Sequence, residues 1–248
     1  MPTALALSPH LDDAAFSCGG TLAMLGRRGW RVVVATLFTA SVPNPAGFAL
    51  ACQTDKGIAP DVDYMALRRD EDLAAAAALG ASALHLSLPE APHRGYDSAA
   101  ALFGGVRPED WVAAPLAQVL TYLVGQVRPA LILAPQAIGG HVDHVQLTGV
   151  FGRMPAQAPV LWWRDFPYDV REATPPEPFA AELGRLPELA VALAPDAMRA
   201  KRAACAAYAS QLGFQFGGPE GLDARLEAAG PVERFRRGGA IDLGLPLA

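Results

Sequence analysis

Residues 4–38 read ALALSPHLDDAAFSCGGTLAMLGRRGWRVVVATLF, and the succession of periods in this stretch decides the fold. Ala4–Leu7 is a short unbroken apolar run that stops at Ser8-Pro9, the pattern of a buried strand entering a loop. Asp12 to Arg28 then reads as a helix closed by Gly29, a residue suited to the left-handed turn at a helix end. Arg31–Phe38 is rich in β-branched residues, which fit a buried strand.

The alternation continues outward. Tyr64–Leu79 is an alanine-rich helix stopped by Gly80, Ala83–Ser87 a third strand, Pro108–Arg128 a third long helix, and Leu131–Ala134 a fourth buried strand ended by Pro135. Thr39–Asp63 carries Pro43, Pro45, Gly47, Gly57 and Pro60 and reads as a long loop, as does the stretch from residue 88 to 107. Strands alternating with helices at this spacing predict right-handed crossovers and a three-layer α/β sandwich with a mainly parallel sheet. Further on, Val160–Arg164 reads as a strand, Glu172–Pro178 as a proline-rich surface excursion and Asp196–Leu212 as one helix. A single domain over residues 1–248 is expected. Ligands of such sheets bind beyond the carboxyl ends of the strands. Ser8–Asp13 and Pro135–His144 both lie there.

Bulk properties narrow the chemistry. Of 248 residues, 52% are hydrophobic and 18% charged, so a sizeable core is available. A formal net charge of −5 and a pI near 5.5 argue against a nucleic-acid surface. Arg234, Arg236 and Arg237 read as a solvated edge. Cys18, Cys52 and Cys205 stand far apart, which excludes a disulfide framework and a cysteine zinc site, and Cys18 and Cys205 read as small core residues. No apolar run approaches the roughly 18 residues of a spanning helix. The N-terminus lacks the basic start of a secretion signal. A soluble, cytoplasmic protein is expected, and a homo-oligomer stays open.

Two short segments carry the chemistry. In Pro9-His10-Leu11-Asp12-Asp13 a histidine and an aspartate three residues apart can aim at one point, and adjacent carboxylates cannot both face it. Acidic residues also cap and charge helix starts. In Gly139-Gly140-His141-Val142-Asp143-His144, two histidines and an aspartate follow two glycines that permit close approach of a ligand. Of the five histidines in the chain, three fall in these two segments. A catalytic zinc takes three nitrogen or oxygen ligands and keeps one position open; His10, Asp13 and His144 can supply them. Asp12 could take the proton of the attacking water. His141, held in one tautomer by a carboxylate such as Asp143, could stabilise an oxyanion or protonate a leaving amine.

Together with Gly19-Gly20, Arg68-x-x-Glu71, Leu79-Gly80 and Tyr208-x-Ser-Gln211, these motifs resemble the PIG-L/LmbE-like deacetylases over about residues 4 to 212. The resemblance implies a Rossmann-like fold and zinc-dependent removal of the N-acetyl group from an acetamido sugar or sugar conjugate. It further implies His10, Asp13 and His144 as ligands of one Zn²⁺, Asp12 as general base and His141 as the histidine assisting the leaving group. Arg68 and Asp97 fall near positions that touch the sugar. Leu11 and Ala14 depart from the usual Pro-His-Pro-Asp-Asp-Glu, and some relatives have a tyrosine where this chain has Gly139.

Three rivals remain. A non-catalytic binding protein could share the fold. Two histidines and a carboxylate also bind non-haem Fe(II), but that chemistry is expected on a β-barrel. A nicotinamide-dependent dehydrogenase would need G-x-G-x-x-G after the first strand, which is missing.

Overall fold

The computed structural model describes residues 1–171 and 173–248. Its sheet is built from β1 (Thr3–Ser8), β2 (Arg31–Thr36), β3 (Ser82–His85), β4 (Leu131–Pro135), β5 (Val160–Trp163), β6 (Glu188–Ala192) and β7 (Val232–Gly238), in the spatial order β3-β2-β1-β4-β5-β7-β6. Strands β1 to β5 are parallel; Ala4 of β1 pairs with Val32 on one side and Leu131 on the other. Strand β7 runs antiparallel to both β5 and β6. The order reverses between β1 and β4, so the chain leaves these adjacent strands in opposite directions and opens a crevice at their carboxyl ends.

The two-residue period of the strands divides the interior into two cores. Ala4, Ala6, Val32, Val34, Leu131, Leu133, Leu161 and Trp163 face one way. There they meet α1 (Asp13–Arg27), α3 (Tyr64–Leu79) and α9 (Pro195–Ala207). Leu5, Leu7, Val33, Ala35, Ile132, Ala134 and Trp162 face α5 (Ala113–Val127) and α6 (Val142–Gly152) on the other side. This is the expected three-layer α/β sandwich, and a parallel sheet removes the β-barrel that the Fe(II) oxygenase reading required. Cys18 and Cys205 are buried core residues.

The remaining helices are short: α2 (Gly47–Thr54), α4 (Ala99–Phe103), α7 (Tyr168–Arg171), α8 (Ala180–Leu183), α10 (Ala209–Phe216) and α11 (Pro219–Ala229). Several depart from the sequence reading. Within the expected loop 39–63, α2 forms, and the buried Gln53 donates to the carbonyl of Val62 at 3.1 Å and fastens the segment. The helix expected from Pro108 starts at Ala113, because Asp110 is committed to Arg94 and holds the turn before it. Strand β3 ends at His85, and Ser87 instead makes an isolated bridge to Phe38. Glu172 of the expected surface excursion lies outside the described residues; residues 174 to 178 run along the surface.

The expected single helix over Asp196–Leu212 breaks at Tyr208, where φ is −82° and ψ 58°. Side chains of α3 hold that break. Tyr208 donates its hydroxyl to Asp72 at 2.6 Å, and Glu71 accepts both the backbone N–H and the hydroxyl of Ser210 at 2.7 and 2.6 Å. His85 contacts the other oxygen of Asp72 at 2.8 Å. The motifs Arg68-x-x-Glu71 and Tyr208-x-Ser-Gln211 thus meet as one joint between α3 and α10.

A second break lies in α1 at Cys18, with φ −136°. Glu233 of β7 accepts the Gly20 and Thr21 N–H groups there at 3.0 and 2.8 Å, and its charge is matched by Lys201 at 2.7 Å. Both side chains are more than nine-tenths buried. Glu233→Ala should cost about 3–5 kcal/mol in urea unfolding, because it strands a buried ammonium. The pair Glu233→Gln with Lys201→Met should recover much of that loss; equal costs would show that the charge pairing is not what matters there.

Candidate metal centre

Adjacent β1 and β4 deliver both motifs to the crevice. After β1, Ser8 Oγ donates to the carbonyl of His10 at 2.7 Å and accepts the N–H of Ala14 at 3.1 Å, closing a tight loop. Asp12 precedes α1 with φ 144°, a region disfavoured for any residue with a Cβ. Such strain concentrates at functional sites. Here the two neighbouring carboxylates have different partners: Asp13 meets His144, and Asp12 meets Arg68. After β4, Gly139 and Gly140 take φ of 92° and 76°, and His141 becomes the residue before α6.

Asp13 Oδ2 accepts the backbone N–H of His10 at 2.8 Å. The same oxygen lies 3.4 Å from His10 Nδ1 and 3.2 Å from His144 Nε2. His144 is fully buried; its Nδ1 is 2.8 Å from Asp165 Oδ1, and Nε2 has no hydrogen-bond partner among the described residues. Asp165 is itself fixed by the Ile138 N–H at 2.9 Å. A histidine anchored to a carboxylate through one nitrogen and orphaned at the other is arranged as a metal ligand. His10 is arranged likewise, with Nε2 2.9 Å from Asp143 Oδ2 and Nδ1 toward Asp13. The donor set is nitrogen and oxygen without thiolate, which fits zinc in a catalytic site. Nitrogens of His10, His141 and His144 also approach within 4.8 Å of one another.

The titratable groups of the site act strongly on one another. Burial works against charge on every group. In His144 it is outweighed by Asp13 and Asp165, which push the imidazole up to about 9. Asp13, despite burial, is held well below the usual carboxylate range by His144 and His10. Asp12 moves the other way: burial and the charge of Asp13 raise it to about 7 against the pull of Arg68. Burial and the neighbouring His10 lower His141 to about 3.

The structure also reassigns two expected contacts. Asp143 does not clamp His141 with its carboxylate, which is taken up by His10 and by the Ala91 N–H at 3.1 Å. The backbone N–H of Asp143 donates to His141 Nδ1 at 3.2 Å instead, which leaves the proton of the neutral ring on Nε2. Asp97 is turned outward: Tyr96 is buried, while Asp97 is exposed and pairs with Arg107 at 3.3 Å. Arg68 does lie at the site. It donates to the Leu11 carbonyl at 3.0 Å and to Glu90 at 2.7 Å, and stands 3.7 Å from Asp12.

The cleft over these residues has a volume of about 250 Å³. Its floor holds His10, Asp12, Asp13 and His141; Phe48, Tyr64, Phe103, Tyr168 and Phe214 form an aromatic wall, with Glu90, Gln211 and Lys56 as polar points. Asp165, Glu90 and Tyr168 had no motif to announce them. Asp165 and Glu90 nevertheless follow β5 and β3, so the rule that ligands gather at the carboxyl ends of parallel strands could have found both. His85 and His93 stay outside the cleft lining.

Residues 5–153 match the PIG-L family, described as GlcNAc-PI de-N-acetylase. The 2′-N-acetylparomamine deacetylase of Streptomyces fradiae is 33% identical over 167 residues, 66% of this chain; the match spans 57% of that relative's length. The zinc-inhibited form of teicoplanin deacetylase Orf2 superposes with a TM-score of 0.79 at 26% identity, covering 97% of this chain and 99% of the other. The antimicrobial reagent A40926 pseudoaglycone deacetylase Dbv21 gives 0.74 at 27% identity, covering 96% and 98%.

Gly139 carries two constraints at once: its positive φ, and a Cβ position only 2.7 Å from Cβ of Tyr168. Gly80, with φ 68°, has open space around its Cβ position. Thermal unfolding of Gly80→Ala should show backbone strain alone, about 1–3 kcal/mol. Gly139→Ala should cost clearly more, and equal costs would mean that the Tyr168 contact does not constrain this turn.

Proposed function

Because the chain belongs to the PIG-L family, we propose that it is a metal-dependent N-deacetylase acting on an acetamido sugar or sugar conjugate. Water is consumed, the amide C–N bond breaks, and acetate and a free amine leave. His10, Asp13 and His144 hold one Zn²⁺. The observation that carries this reading is the buried Nε2 of His144, which makes no hydrogen bond among the described residues, lies 3.2 Å from Asp13 Oδ2 and belongs to a ring locked by Asp165 on its far side. When bound, the cation polarises the amide carbonyl and lowers the pKa of a water toward about 7.

The chain's own groups supply the rest. Asp12, at the cleft floor beside Asp13, takes the proton of the attacking water. Arg68, 3.7 Å away and tied to Glu90 and the Leu11 carbonyl, fixes where that carboxylate points. His141 presents the proton on Nε2 to the developing oxyanion, since its Nδ1 is occupied, and Asp12 returns the proton taken from water to the departing nitrogen. The aromatic wall suits the apolar face of a sugar ring and of whatever the sugar carries. Two relatives are named as deacetylases of 2′-N-acetylparomamine and of the antimicrobial A40926 pseudoaglycone, which makes an N-acetylated compound of that kind the first substrate class to test. The partner is a small molecule, and no helix among the described residues is long and apolar enough to cross a membrane. A cytoplasmic location goes with this reading.

Chelation should abolish acetate release from a panel of N-acetyl sugar conjugates, and Zn²⁺ should restore it. Asp12→Ala should keep its zinc yet lose about 10²–10⁴-fold in turnover, the usual worth of a general base. Asp13→Ala should lose zinc first. His141→Ala should keep zinc and slow the chemical step by a similar order. Metal content and rate constants of the three purified variants decide the matter: a metal-free Asp12→Ala, or one turning over at the wild-type rate, contradicts the division of roles. Zinc-loaded protein inactive on the whole panel favours a binding protein instead.

A further inference from the structure

Arg94 lies under the site with its side chain wholly buried. It belongs to the segment after β3 that also supplies Glu90, Pro92 and Phe103 to the cleft wall, yet neither Arg94 nor Asp110 lines the cleft. Its Nε and Nη2 hold the two oxygens of Asp110 at 3.0 and 2.9 Å, while Nη1 donates to the Pro89 carbonyl at 2.8 Å. The same Nη1 forms an ion pair with Asp143 Oδ1 at 2.7 Å. Asp110 is held in turn by the Tyr96 hydroxyl at 3.0 Å, Gln146 at 3.1 Å and the Val112 N–H at 3.2 Å. The guanidinium is thereby held in place, and Nη1 stands at ion-pair distance from Asp143 without a hydrogen bond to its Oδ1 among the described residues.

Asp143 passes that constraint on. With Oδ1 on Arg94, its Oδ2 accepts from Ala91 and lies 2.9 Å from His10 Nε2. We propose that Arg94 is a positioning residue for the metal centre: it holds the Asp143 carboxylate against Nε2 of His10, so that Nδ1 of His10 is presented beside Asp13 as a ligand. The inference rests on reading His10 as a ligand. Partners behind a metal-bound histidine set its tautomer and ring angle, and their loss costs metal affinity. Lysine cannot replace this arginine, because a single ammonium cannot grip Asp110 with two parallel bonds and reach Asp143 and Pro89 as well. The same gripping ties the cleft wall to the centre.

The test uses zinc itself. Metal-free full-length protein is titrated with Zn²⁺ against a chromophoric chelator, with unfolding temperature of the metal-free form measured alongside. Arg94→Lys should weaken zinc about 10–100-fold, the typical worth of such an outer partner. Asp110→Asn should weaken it by a smaller factor. In an Asp143→Asn background, Arg94→Lys should add almost nothing, since its route to His10 is already cut. Unchanged zinc affinity in folded Arg94→Lys and Asp110→Asn overturns the proposal, and so does an undiminished loss in the Asp143→Asn background. Should Arg94→Lys fail to fold, Asp110→Asn alone decides. His10→Ala separates the two levels: wild-type zinc affinity there removes the ligand reading itself, whereas lost affinity with an indifferent Arg94→Lys removes only this inference.

Discussion

One oxygen of Asp13 joins the two halves of the site. Oδ2 accepts the N–H of His10 and lies 3.2 Å from Nε2 of His144, 131 positions further along the chain. That contact exists because β1 and β4 are neighbours while their following loops diverge. A carboxylate buried between two imidazoles is costly unless a cation or protons balance it. The pairing that raises His144 and lowers Asp13 expresses that demand. The strained backbone at Asp12 belongs to the same constraint, since it sends two consecutive carboxylates to separate partners.

Around this oxygen the support comes from several strand ends. Asp165, just beyond β5, anchors His144; Asp143, at the start of α6, anchors His10. Glu90 and Arg94, after β3, fix Arg68 and Asp143. The joint between α3 and α10 has a parallel task further out. Glu71 and Asp72 hold the break at Tyr208, and the helix that follows brings Gln211 and Phe214 to the cleft. The fold thus places the candidate site at the switch point of the sheet, with loops and short helices around it.

The inner strands of the parallel half were legible because they are buried on both faces and read as unbroken apolar runs, as Ala4–Leu7 and Leu131–Ala134 do. The residues at the heart of the site were legible too, being packed into two short segments at strand ends. The antiparallel β6 and β7 were not. Their residues alternate with charges such as the exposed Arg234 and the half-buried Arg236, which pair with Glu188 across the strands and read in sequence only as a basic cluster. The break at Tyr208 was invisible because helical periodicity continues through it, and a tertiary hydrogen bond to Asp72 makes the turn. Asp97 was misplaced for a local reason: the left-handed Gly95 sends Tyr96 inward and its neighbour out. Asp165 and Arg94 act through contacts 21 and 49 positions away in sequence, at His144 and Asp143, and no short motif can announce such a pairing.

Crystals grown with Zn²⁺ and measured on both sides of the zinc absorption edge would test the central claim most directly. The account predicts one strong anomalous peak per chain enclosed by His10 Nδ1, Asp13 Oδ2 and His144 Nε2, with His141 beside it and bonded through Nδ1 to the backbone of Asp143. A peak coordinated by the three histidines with Asp13 turned away, or no peak in the crevice between β1 and β4, would contradict it.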